Sequence, residues 1–294
     1  MMERIPYLHF KKDKKDLVKS YYIALIPLLL FGLYKNGIML YQNDFISFGD
    51  LFIPLYFYFI SIFIGLIVAL IRKDSKKEWM LVALILSCTV SINTSLVLYP
   101  LVLFVSLFIS SYLKDKYSFN FVSLTRVMLL LALFVQSYSY LNVAEKIEAF
   151  NYSLFDSFWG YGVSGIANGS LFCLLIGFIF LAFNRFYKRV IPIMASISFV
   201  LIFLVMFLVT KNTTYLESIL NGTVYFAFVF VAADIMVSPD TKWGMALYGV
   251  VIGLLTGVLC LFLPLDEAPY LSIFFTSLAI PFFNKIAHKK YLHR

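Results

Sequence analysis

Charge is scarce in this chain: 14% of its 294 residues are Asp, Glu, Lys or Arg, where a soluble domain carries roughly 25%. Against 62% hydrophobic and 19% aromatic residues, that scarcity excludes a water-soluble globular domain and leaves an integral membrane protein. Cysteine is sparse too. Cys88, Cys173 and Cys260 stand singly within apolar runs, which excludes a disulfide framework or a Cys-x2-Cys metal site and reads all three as packing residues. His9, His288 and His293 lie near the termini, and no group of His, Cys or carboxylates has metal-ligand spacing. A Gly-x-Ser-x-Gly elbow, a phosphate loop and a dinucleotide fingerprint are all missing. The first nineteen residues are basic and polar rather than an apolar signal core, so Leu17 to Tyr41 reads as a first membrane span.

What the chain has in abundance is apolar runs. Ten candidates fall near 19–41, 51–71, 79–98, 100–113, 122–141, 167–184, 189–210, 218–236, 244–263 and 269–286. Only Tyr99-Pro100 separates the third from the fourth, so one long broken helix or a re-entrant segment accounts for that pair equally well. With ten spans and a cytoplasmic N-terminus, Lys35, Lys146 and Lys211 alone among the 24 basic residues fall outside. Merging any one pair of spans would invert every later loop and spoil that bias. The net charge of +8 then describes a cytoplasmic face and no nucleic-acid site, while acids including Asp44, Asp156, Asp266 and Glu267 make the outer face attractive to cations. The expected fold is an all-α integral membrane protein of about ten transmembrane helices, two inverted five-helix halves, with both termini cytoplasmic. Its parts are a basic N-terminus 1–18, a first half 19–141, an extracytoplasmic segment 142–166, a second half 167–286 and a basic tail 287–294.

Three segments carry polar residues at places where lipid makes them costly. Asp234 closes the eighth run ahead of Ser238-Pro239-Asp240-Thr241, where Pro239 disfavours helix and the flanking oxygens can cap the next helix. Asp234, Ser238 and Thr241 are therefore candidates for an ion path or cytoplasmic gate, or else for a tight capped turn. The sixth run is entered through Asp156 to Ser170, where Gly160, Gly162, Ser164, Gly165, Asn168 and Ser170 leave an irregular polar entrance. Such an entrance could face a cofactor or partner, or hold an anion on its N–H groups; close helix packing explains it equally. Ser87 to Thr94 places hydroxyls and Asn93 inside the third run, where hydroxyls bonding back to the helix suffice.

The C-terminal third resembles a known pattern, G…F…A.D…SP.T..G…YG…G.LT. Gly222, Phe226, Ala233, Asp234, Ser238, Pro239, Thr241, Gly244, Tyr248, Gly249, Gly253 and Thr256 stand in its order. Ser153 to Gly160 (SLFDSFWG), followed by Arg189-Val190-Ile191-Pro192, and Ala24-Leu25-Ile26-Pro27 through Gly37 add further matches. On these residues the chain resembles the membrane-protein family that includes RnfD of the Rnf electron-transport complex and NqrB of the sodium-translocating NADH:quinone reductase. The resemblance implies a plasma-membrane subunit that contributes to electron transfer and Na+ or H+ translocation beside other membrane and flavin or iron–sulfur subunits. It also implies FMN or riboflavin, yet the SGAT sequence whose Thr carries covalent FMN in that family is absent. Val163 to Ala167 aligns instead with the family's GSIGETS segment, with Asn168 in place of Glu and Ser170 retained. The missing anchor keeps a second class open, a stand-alone transporter or channel for an ion or small solute, without a redox role.

Overall fold

Backbone surrounded by hydrocarbon has no water to bond, so apolar runs of this length close their hydrogen bonds internally. In the computed structural model, which describes residues 7–117, 119–133, 153–162, 164–234, 237–239 and 241–285, every regular element is helical. The elements are α1 (Tyr7–Leu33), α2 (Ile53–Arg72), α3 (Lys76–Cys88), α4 (Leu98–Lys116), α5 (Phe121–Ala132) and the short α6 (Leu154–Trp159). After them come α7 (Leu171–Phe183), α8 (Val190–Thr210), α9 (Thr214–Leu220), α10 (Gly222–Ala227), α11 (Lys242–Leu259) and α12 (Ala268–Leu278). A π-helical turn, Tyr34–Met39, extends α1, and another, Phe228–Ala232, extends α10.

Among the described residues, five helical stretches are long and apolar enough to cross a membrane: Lys15–Gln42, Asp50–Arg72, Val190–Thr210, Thr214–Ala232 and Lys242–Leu259. Shorter apolar helices occupy Leu98–Lys114, Phe121–Ala132, Leu171–Phe183 and Ala268–Leu278. Of the ten expected spans, the described residues show five as long helices and four as shorter apolar ones. The third run departs most. Its helix stops at Cys88, and the chain is irregular through Thr89–Val97 before α4 begins ahead of Tyr99-Pro100. Hydroxyls explain the stop: Ser87 Oγ donates to Leu84 O at 2.7 Å and Thr89 Oγ1 to Leu86 O at 2.7 Å, competing with the helical ladder. The residues 134–152 that would finish the fifth run and form most of the outer segment lie outside the described residues. So do the tail from 286 onward and Asp240.

The helices pack in a recurring order. α2 lies on α3 and α4, and α4 on α5; α8 lies on α9, the Phe228–Ala232 turn and α11, and α11 on α12. α1 contacts α3 as α7 contacts α10, and the pairs α1 with α7 and α5 with α12 join the two sets. Small residues permit the closest crossing. At Gly253 of α11 an added methyl would run into the Ala195 carbonyl and the Ser198 hydroxyl of α8, so two helix backbones meet there. Buried aromatic and aliphatic side chains, among them Trp79, Tyr99, Phe199, Phe226, Tyr248 and Tyr270, fill one continuous core.

Candidate functional site

Two breaks in the helical ladder create the polar places in this bundle. At the first, the π turn Phe228–Ala232 ends in Ala233 and Asp234, and a π turn frees carbonyls that need outside donors. Three side chains distant in sequence supply them. Tyr187 Oη donates to Val229 O at 2.9 Å, Asn120 Nδ2 to Val231 O at 2.7 Å and Tyr21 Oη to Ala233 O at 3.3 Å. Asp234, partly exposed, then lines a cleft of about 80 Å³ with Tyr21 and Phe230, across from Glu78 and Lys114. The turn beyond it is tightly capped. Ser238 Oγ donates to Asp234 O, Thr241 Oγ1 accepts from Gly244 N at 3.0 Å, and Lys188 Nζ donates to Ser238 O at 2.9 Å and Pro239 O at 3.2 Å. Asp234 therefore faces the cleft, while Ser238 and Thr241 hold the turn that sets its position.

The second break joins two irregular stretches. α6 carries a capping box made by Ser153 and Asp156 and ends at Gly160, whose φ of 100° suits a residue without a side chain. The chain from Gly160 to Ser170 then descends beside the stopped end of α3: Ile166 N donates to Val90 O at 2.9 Å and Ala167 N to Cys88 O at 3.0 Å. Irregular backbone at membrane depth survives only where protein satisfies it, as here. The π turn of α1 completes the tie, since Asn36 Nδ2 donates to Ile166 O at 2.7 Å and Lys35 Nζ to Ser164 Oγ at 2.8 Å and to the Gly162 carbonyl. Gly165 packs on the Thr89 backbone and Gly169 on Ser164, Ser170 caps α7 by accepting from Cys173 N at 3.2 Å, and Gly162 has room for a side chain, its nearest neighbour being Ser157 Oγ at 4.0 Å.

Charges missed as site residues converge on this second break. Lys35 and Arg126, placed on loops by the charge pattern, are each only 5% exposed. Arg126 of α5 donates to Thr89 O at 3.2 Å, at the negative end of the α3 dipole, and its guanidinium lies 5.6 Å from the Tyr270 ring centre. Asn168, fully buried, donates from Nδ2 to Asp266 Oδ1 at 3.2 Å, and the Thr223 hydroxyl, which donates to Asn221 Oδ1 at 2.6 Å, lies near enough to act on Asp266. Asp266 sits in the turn between α11 and α12. Burial pushes its carboxyl above the usual range, against the pull of Arg126, Asn168, Lys35 and Thr223. Glu267 is raised by burial too, and Asp266 adds to that while Arg126 opposes it. The available signal was the rarity of charge: a Lys and an Arg inside apolar runs point inward more often than a loop count assumes.

This arrangement, a helical membrane bundle broken at two polar points, is accompanied by a match over the whole chain. The sequence model of the NQR2, RnfD, RnfE family covers residues 1–293. The chain belongs to that family. No individually curated protein matches it. Membership makes the chain a membrane subunit of the Rnf/Nqr type, consistent with its apolar spanning helices.

The flavin that the family resemblance implies finds no room at Gly165 or beside Gly169 in the Gly160–Ser170 segment of this family member. A methyl added at Gly165 would come within 2.8 Å of the Thr89 carbonyl carbon, and one at Gly222 within 2.6 Å of Gly169 O, so neighbouring backbone already fills the space. The cleft beside Asp234 holds about 80 Å³, well under the ~300 Å³ at which small-molecule pockets begin. The described residues also include no group of three His, Cys, Asp or Glu able to hold a metal ion.

Proposed function

We propose that this chain is the ion-handling membrane subunit of an Rnf/Nqr-type electron-transport complex in the plasma membrane. It contributes to Na+ or H+ translocation while partner flavin and iron–sulfur subunits carry most of the electron path. The observation that supports this reading is Asp234 at a helix break, lining a cleft at the end of the bundle that also holds Lys76, Lys77 and Lys114. A carboxylate there attracts a cation, and the capped turn built from Ser238 and Thr241 keeps it at a fixed height beside Tyr21 and Phe230. Of the Gly160–Ser170 segment, Gly162 and Ser164 are partly exposed and form the partner-facing side at the other end, while Gly160, Gly165, Asn168 and Ser170 are buried behind them.

The recurring packing order supports two five-helix halves of opposite orientation, α1 to α5 and α7 to α12 with α9 and α10 counted as the one stretch Thr214–Ala232, and both termini cytoplasmic. In that architecture the two helix breaks are counterparts, one opening toward each side of the membrane. Asp234→Asn should lower ion-coupled electron transfer in native membranes about tenfold, equivalent to ~1.4 kcal/mol of barrier, with assembly unchanged. Unaltered coupling in that variant would remove Asp234 from the path. The poor fit of a flavin to the glycine-rich segment favours, as the second reading, a stand-alone transporter on the same scaffold. Co-purification of redox subunits with the tagged chain separates the two.

A further inference from the structure

The amide of Asn168 is used on one side only. Its Nδ2 donates to Asp266 Oδ1 at 3.2 Å, whereas its Oδ1, fully buried, meets no donor. An unpaired buried acceptor is costly, and a neutral carboxyl is the group that answers an amide on both sides, donating O–H to its oxygen and accepting its N–H. A carboxylate can only accept. Turning the amide by a half-turn would set two oxygens against each other and require the proton outright.

The charged surroundings select the ligand. Arg126 from α5 and Lys35 from the α1 extension act on Asp266 as cations, Asn168 bonds to it, and Glu267 adjoins it within the same turn. Arg126 is tied to Thr89 O and the Tyr270 ring, and its buried Nε has no acceptor. A metal ion would sit against two fixed cations, while a proton merely neutralises the carboxylate. Asp266 is partly exposed, so water reaches it from the loop side.

We propose that Asp266 and Asn168 form a proton-binding pair at the end of the bundle away from the Asp234 cleft. Asp266 takes one proton from water, an O–H bond forms on its free oxygen, and that hydrogen is donated to Asn168 Oδ1; no electrons move. The two acids lie far apart: Tyr21 at the first break and Lys35 at the second are fourteen residues apart on one helix, about 21 Å at ~1.5 Å per residue. Burial of Asp266 works in the same direction, favouring its neutral form. The pair belongs to this chain alone and does not depend on whether its partners carry electrons.

Infrared difference spectra of the purified full-length protein in lipid nanodiscs, titrated with pH, test the pair. The expected result is a carboxylic-acid carbonyl band whose midpoint lies above the ordinary aspartate value of 3.8. That band is lost in Asp266→Asn and kept in Glu267→Gln, and its midpoint should rise by roughly one unit or more in Arg126→Gln as the strongest opposing charge is removed. Exchanging Na+ for choline at constant ionic strength should leave the midpoint in place. A band that persists in Asp266→Asn, or a midpoint at or below 3.8, overturns the proposal. A midpoint that falls as Na+ rises also overturns it, in favour of a cation site. If Asp266→Asn does not fold, as judged by helical circular dichroism, the wild-type midpoint, its Na+ response and the other two variants decide.

Discussion

Asn120 shows how much one side chain can connect in a protein with few polar residues. Its Oδ1 caps α5 by accepting from Ser123 N at 2.9 Å, its Nδ2 satisfies Val231 O at 2.7 Å, and its own N–H donates to Ser277 Oγ at 3.0 Å. Asn120→Ala strands a buried carbonyl and uncaps a helix, so the expected cost is about 2–4 kcal/mol. Thermal unfolding of the purified variant, falling by several degrees, is the check. Asp266 gives a second expectation, with its sign fixed by linkage. Its raised pKa means the folded chain holds a proton that the unfolded chain has released, so that stabilisation is complete below the ordinary 3.8 and is lost as pH rises through the folded value. Melting temperatures of Asp266→Asn and wild type should therefore diverge in favour of the variant as pH rises above that point; curves that stay parallel would contradict it. At this scale the sequence disclosed Asp234 and Asn168 as polar residues in costly places. It did not disclose Lys35 or Arg126, because a charge near the end of an apolar run looks the same whether its side chain turns to water or inward.

At the scale of elements, the long helices were legible wherever apolar residues run unbroken, as in Val190–Thr210. The breaks were harder to place. Pro100 looked like the divider of the third and fourth runs, yet proline is tolerated in the first turn of a helix, where its missing N–H costs little, and it sits in that turn of α4. The actual divider, Thr89 to Val97, depends on donors from Ile166 and Ala167 more than seventy residues away, which no local pattern reveals. The two π turns were equally hidden, since the donors that satisfy the carbonyls of Phe228–Ala233 come from Tyr21, Asn120 and Tyr187, at three distant points of the chain.

For the molecule as a whole, the basic residues carry the topology. Lys76 and Lys77 at the start of α3 and Lys242 at the start of α11 share one side in the proposed inverted arrangement, and Asp44 and Glu217 share the other. Single cysteines at 77 and 242, in a background lacking the three native thiols, should react with a membrane-impermeant maleimide only in opened cells, and cysteines at 44 and 217 in intact ones. Labelling of 77 and 242 from opposite faces would break the two-half arrangement. The central claim, that this family member works within a redox assembly while anchoring no flavin covalently itself, is tested most directly by purifying the tagged chain from native membranes in mild detergent. The visible spectrum is recorded before and after reduction, with ultraviolet fluorescence of the denatured bands. The account expects a bleachable flavin or iron–sulfur spectrum with co-purifying subunits and no fluorescence on this band. A colourless protein without partners, or fluorescence that stays on this chain, would contradict it.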